Sequence, residues 1–115
     1  MWQTIDKQSE ILINNCLEKK LTVTTAESCT GGMIASSIVS ISGSSAIFKS
    51  SVVTYSNEMK SKILNIPLKS INENGAVSKV IAYAMASNVL NLMSSDISIA
   101  ATGIAGPGGG SKHKP

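Results

Sequence analysis

Apolar residues recur along the first stretch of the chain at helical spacing. Ile5, Leu12, Ile13, Cys16 and Leu17, with the small Ser9 among them, fall on one face and predict a helix over 4–19. Residues 21–26 read as a short strand, and the small-residue segment 30–39 reads as a helix. A β-branched run over 46–55 predicts a second strand. Residues 57–64 follow as a helix ended by Pro67, and 69–73 as a helical turn before Asn74-Gly75 breaks it. The clearest amphipathic pattern spans 78–93, where Val77, Ile81, Met85, Val89 and Leu92 form the predicted buried face; methionine at that spacing fills a core. Residues 96–102 read as a third strand, and everything after Gly103 as loop. Strands separated by helices imply an α/β fold, a layered α/β/α sandwich on a small mixed, largely parallel sheet, with ligands gathering at the strand ends. At 115 residues the chain reads as a single domain over 1–115.

Those strand ends carry the candidate chemistry. Ser28, Tyr55 and Thr102 each stand at the C-terminal end of one of the three predicted strands. Ser28 and Cys29 lie where a helix begins, beside unpaired backbone N–H groups and the positive end of the helix dipole, so either side chain could act as an acyl-transfer nucleophile. The same residues also suit a plain Ser/Thr cap followed by glycines that allow close packing. A serine needs a proton acceptor, and the candidates are Lys60, Tyr55 and Glu27. His113 sits in a polar tail and is a poor base candidate. Lys60 qualifies if burial lowers its pKa; Lys62 points about 200° round the same helix. A lysine on a short helix is otherwise an ordinary solvated charge.

Composition narrows the classes. Ten lysines and no arginine give a formal charge of +3; the lysines are scattered instead of forming a stripe with aromatics, which make up only 3% of the chain, a poor platform for nucleic acid. One histidine and two cysteines without ligand spacing argue against a protein-built metal site, and Cys16 and Cys29 read as two reduced thiols. A hydrophobic content of 43%, with a mean hydropathy of +0.18, suits a globular protein. No apolar run is long enough for a membrane span, and no signal pattern opens the chain, so a cytoplasmic protein is the expectation.

Four segments, taken in order, carry a resemblance: T-T-A-E-S-C-T-G-G at 24–32, V-V-T-Y-S-N-E-M-K at 52–60, N-G-A-V-S at 74–78 and A-T-G-I-A-G-P-G-G-G at 101–110. Together they closely resemble the CinA C-terminal domain family, whose stand-alone members are nicotinamide-nucleotide amidohydrolases, over nearly the whole chain from about Leu21 onward. The resemblance implies Ser28 as nucleophile, with Lys60 and Tyr55 as base and proton-relay partners. Thr102 and Ser45 would then contact the substrate. The implied reaction hydrolyses the carboxamide of nicotinamide mononucleotide to nicotinate mononucleotide and ammonia through an acyl-enzyme, with no cofactor and no metal. In that frame the backbone at Thr30, Gly31 and Gly32 is the candidate oxyanion site. The loop carrying Gly103 and Gly106 is either an anion-binding nest for the phosphate or a plain flexible connection.

The family pattern runs on past Lys114-Pro115 into further strands and a long helix with an arginine-bearing segment. The resemblance therefore carries the expectation of a domain incomplete at its C-terminus, completed by a homo-oligomer or by a complementing C-terminal chain. It also leaves two other readings open: a truncated, catalytically silent fragment, and a competence- or damage-linked interaction module.

Overall fold

The computed structural model describes residues 2–104. Its elements run α1 (Trp2–Lys19), β1 (Val23–Glu27), α2 (Met33–Val39), β2 (Phe48–Val53), α3 (Asn57–Leu64), α4 (Leu68–Asn74), α5 (Lys79–Met93) and β3 (Ile97–Ala101). A short 3-10 turn, Ser44–Ala46, precedes β2, so that strand is shorter at both ends than the β-branched run suggests.

Among the described residues the sheet has three strands in the order β2-β1-β3, both pairs parallel. The mixed character expected of the sheet is therefore not seen in this part of the chain. β1 is central and every residue in it is buried. Alternation along the strands divides the core between two faces. Val23, Ile97 and Ile99 meet Ile13, Cys16 and Ile38 of α1 and α2 on one side. Ala26, Val52 and Ala100 meet Leu64 and Ile71 of α3 and α4, and Ile81, Met85 and Val89 of α5, on the other. The result is the layered α/β/α arrangement that the alternation of elements predicts.

Helix boundaries follow local chemistry. The Ser56 hydroxyl accepts from Met59 N at 3.1 Å to start α3, and that of Ser78 accepts from Ile81 N at 3.2 Å to start α5. On α5 the buried run is Ile81, Met85 and Val89, continued by Met93 against the same core, while Leu92 is half exposed. Leu92 lies about 60° round the helix from Val89 and about 100° from Met93, so at this end of α5 Met93, four residues after Val89, continues the buried stripe. α2 starts at Met33, three residues later than its composition suggests, because Gly31 and Gly32 take positive φ of 58° and 103° in the turn before it.

The chain leaves β1 toward the α1/α2 face and leaves β2 toward the opposite face. Neighbouring parallel strands whose continuations diverge in this way open a crevice at their C-terminal ends. That crevice lies between Ser28 and Thr54–Tyr55.

Met85, at 0% exposure, and Tyr83, at 76%, share one helix and test this core assignment. Met85→Ala should cost about 2–5 kcal/mol of stability in urea denaturation. Tyr83→Ala should stay within about 0.5 kcal/mol of the unmodified chain.

Candidate functional site

Ser28 is held in the crevice by both neighbouring strands. Its N–H donates to Ala101 O of β3 at 2.9 Å, and the adjacent Glu27 O accepts from Thr54 N at 2.8 Å. From the far side, α3 brings Lys60 in one turn after its Ser56 cap. Lys60 Nζ donates to Ser28 Oγ at 2.9 Å and to the backbone oxygen of Tyr55 at 3.1 Å, which Ser28 Oγ also approaches at 3.4 Å. Lysine, serine and carbonyl thus form a closed triangle, with Ser28 at 5% exposure and Lys60 at 1%.

A fully buried lysine with no counter-ion among the described residues is unusual. The one salt bridge among the described residues joins Lys69 and Glu73 on the surface. Burial pushes the Lys60 pKa below its ordinary value and outweighs the opposing influence of the nearby Cys29. An amine in that state is a proton acceptor aimed at a hydroxyl, the arrangement of a serine–lysine pair. Lys62, on the same helix, is exposed.

Glu27, weighed above as a base, has another occupation. Its carboxylate is fully buried and faces the start of α2: Thr30 Oγ1 donates to Oε1 at 2.7 Å, Gly32 N at 3.1 Å and Ile34 N at 2.9 Å, while Ala35 N donates to Oε2 at 2.9 Å and Thr25 Oγ1 at 3.3 Å. Burial, the largest single influence, favours the protonated acid. The hydrogen bonds from Thr30, Ala35, Ile34 and Gly32 together outweigh it and hold the pKa below the usual carboxylate value.

Other expected residues separate into those the crevice gathers and those it does not. A cavity of about 210 Å³ is lined by Ser28, Cys29, Tyr55, Lys60, Thr102 and Gly103, joined by Asn57, Ala76, Val77 and Ile104. The Thr102 hydroxyl donates to Ala76 O at 2.8 Å, tying β3's end to the turn before α5. Tyr55 contributes its backbone oxygen to the pair, whereas its ring is 68% exposed and its phenol makes no hydrogen bond to a described residue. That differs from a relay role for the phenol, because side chains alternate across a strand end and the carbonyl is the atom turned inward. Gly31 N–H is spent on Ser28 O and Gly32 N–H on Glu27, so neither glycine amide is free to hold an oxyanion; Cys29 and Thr30 N–H have no acceptor among the described residues. Ser45 is exposed in the turn before β2, at the opposite end of the sheet, because parallel strands put the start of β2 beside Val23. Gly106 lies outside the described residues.

A larger groove of about 380 Å³ runs between α1, α2 and Ile99, but its lining includes no titratable side chain and it does not reach the serine–lysine pair. Asn57, Ala76 and Val77 went unread as site residues. They lie within the motif segments 52–60 and 74–78, but no side-chain chemistry singled them out there. Among the described residues no three His, Cys, Asp or Glu side chains are grouped to hold a metal ion, and no helix is long and apolar enough to cross a membrane.

Two outcomes follow from this geometry. Below its lowered pKa, Lys60 is charged in both folded and unfolded chains, and folding bears the full cost of burying the cation. As pH rises from that value toward 10.5 the folded chain is neutral there while the unfolded chain is still protonated, so stability rises. Denaturation measured across alkaline pH should show this rise in the unmodified chain and lose it in Lys60→Met. Secondly, a Cβ on Gly103 would stand 3.2 Å from Cys29 Sγ. Gly103→Ala should therefore perturb the Ser28 turn and lower Ser28 reactivity, and adding Cys29→Ala should restore it; equal reactivity in the single and double variants would remove the steric link.

The model of the CinA C-terminal domain family matches residues 5–115. A CinA-like protein of Prochlorococcus marinus (strain MIT 9515) is 51% identical over 107 residues, 93% of this chain and 25% of the relative. A putative competence-damage inducible protein of Caldicellulosiruptor bescii is 46% identical over 113 residues, 96% of this chain and 28% of its own length. Among solved structures, a CinA superfamily protein from Escherichia coli superposes with a TM-score of 0.90 at 34% identity, and the competence/damage inducible protein CihA from Agrobacterium tumefaciens with 0.88 at 42%. In both cases 96% of this chain is covered, against 64% and 67% of the other. The chain thus spans about a quarter of those curated relatives and about two thirds of those solved structures. By sequence and by fold, this chain belongs to the CinA C-terminal domain family.

Proposed function

We propose that this chain is a serine amidohydrolase that hydrolyses the carboxamide of nicotinamide mononucleotide. The observation that carries the reading is the 2.9 Å approach of a buried, pKa-lowered Lys60 amine to Ser28 Oγ. Family resemblance supplies the choice of substrate, and the pair supplies the chemistry.

Neutral Lys60 takes the proton from Ser28 Oγ as that oxygen attacks the carboxamide carbon. Negative charge then gathers on the former amide oxygen, and the N–H groups of Cys29 and Thr30, which have no acceptor among the described residues, are the donors assigned to it. The Lys60 ammonium returns its proton to the amide nitrogen, which leaves as ammonia and gives an acyl-Ser28 ester. Water, deprotonated in turn by Lys60, attacks the ester carbon; the C–Oγ bond breaks, the Lys60 ammonium returns its proton to Ser28 Oγ, and nicotinate mononucleotide leaves. The Tyr55 carbonyl accepts from Lys60 and fixes the direction of the amine throughout.

At about 210 Å³ the cavity is smaller than a typical whole-ligand pocket. It suits the carboxamide end of the substrate, with the sugar phosphate lying toward Gly103 and beyond. Asn57 and Thr102, on its wall, are the polar groups closest in kind to a ring-bound amide.

Ammonia release from nicotinamide mononucleotide tests the reading. Ser28→Ala should abolish it and Cys29→Ala should largely spare it, while Lys60→Met should lose about two orders of magnitude or more, the loss expected when a positioned base is removed. In the unmodified chain the rate should climb as pH rises through the lowered Lys60 pKa. A folded chain without Ser28-dependent release would favour a non-catalytic binding or interaction module.

A further inference from the structure

Glu27 is a charge where this fold least expects one. β1 is the central strand, has partners on both edges and is buried along its whole length, yet it ends in a carboxylate at 0% exposure. No cation neutralises it among the described residues. Five neutral donors do so instead: the hydroxyls of Thr25 and Thr30 and the amides of Gly32, Ile34 and Ala35. Gly32, the residue before α2, offers no side-chain cap, so the cap comes from the preceding strand.

We infer that Glu27 is a positioning residue for Ser28, a role that rests on the serine amidohydrolase reading above. The carboxylate gathers the turn 28–32 around itself. Gly31 and Gly32 double the chain back with positive φ, Gly31 N–H closes onto Ser28 O at 3.1 Å, and the amides of α2 converge on Glu27. Ser28 is thereby held on both sides: its own N–H is fixed by Ala101, and its carbonyl by the turn that Glu27 organises. With the backbone pinned at these points, Oγ is held against Lys60 Nζ. The same convergence uses up the Gly32, Ile34 and Ala35 amides, leaving those of Cys29 and Thr30 without a described acceptor. A neutral side chain of equal length cannot do all of this. In Glu27→Gln the oxygen can still accept from Thr30, Gly32 and Ile34, but the NH2 group then faces the Ala35 amide, donor against donor.

The experiment compares the unmodified chain with Glu27→Gln and Thr30→Val in two assays. One is the rate at which a small fluorophosphonate labels Ser28, read by mass spectrometry: the Oγ–P bond forms, fluoride leaves, and the serine proton passes to Lys60. The other is turnover of nicotinamide mononucleotide. With folding checked by circular dichroism, Glu27→Gln should label about 10- to 100-fold more slowly, lower kcat in parallel and leave KM unchanged, as misplacement of a reacting atom predicts. Thr30→Val, which removes one donor and no charge, should show a smaller loss of the same kind. A folded Glu27→Gln chain that labels at the unmodified rate overturns the assignment; should that variant not fold, an unchanged rate in Thr30→Val overturns it. Rapid labelling of an unmodified chain that releases no ammonia, slowed in Glu27→Gln, upholds Glu27 while overturning the substrate. An unmodified chain whose Ser28 takes no label overturns both.

Discussion

The convergence of three backbone amides and two hydroxyls on the Glu27 carboxylate is the constraint on which the rest of this molecule turns. It sets where α2 can begin, because amides committed to a side chain of the preceding strand cannot belong to an earlier helical turn. It also makes sense of the consecutive glycines, whose left-handed conformations let the chain fold back around a group behind it. A buried anion is tolerated only when its oxygens are satisfied, and here the satisfaction comes from the segment that bears Ser28.

The molecule buries a second charge-capable group nearby and treats it in the opposite way. Glu27 keeps its charge through hydrogen bonds; Lys60 is given a serine oxygen and a carbonyl but, among the described residues, no carboxylate, so desolvation draws it toward the neutral amine. Joining the two in a salt bridge would have been the simpler solution for two buried ions, and would have kept the lysine protonated. The doubly wound sheet keeps them apart. Glu27 turns toward α2 on one face, while Lys60 arrives on α3 from the other, and the two approaches meet only at Ser28.

Sequence made the scaffold legible where the determinants are local. Helices α3 and α5 begin within a residue of where the sequence puts them because a serine cap is a short-range bond, and the strand ends converge because parallel connectivity requires it. The serine and the lysine were readable through the motifs that hold them. What escaped was set by tertiary contact. The start of α2 depends on a side-chain acceptor outside the helix. Tyr55 acts through a carbonyl that no side-chain motif announces. Leu92 and Met93 exchange burial according to how α5 lies on the sheet. Ser45 was matched by its sequence neighbourhood, but the parallel register sends that neighbourhood to the far end of β2.

Ser28 and Lys60 are 32 residues apart and belong to different strand–helix units, brought together by the pairing of β1 with β2. An unfolded or newly made chain therefore carries a fully solvated, protonated lysine and an ordinary hydroxyl, with nothing to bring them together. The serine–lysine contact is a property of the parallel ladder itself, present when the sheet is assembled and erased when it opens. A misfolded copy on this account lacks the pair altogether, and the 2.9 Å approach of Lys60 to Ser28 is an internal gauge of whether the two strands are in register.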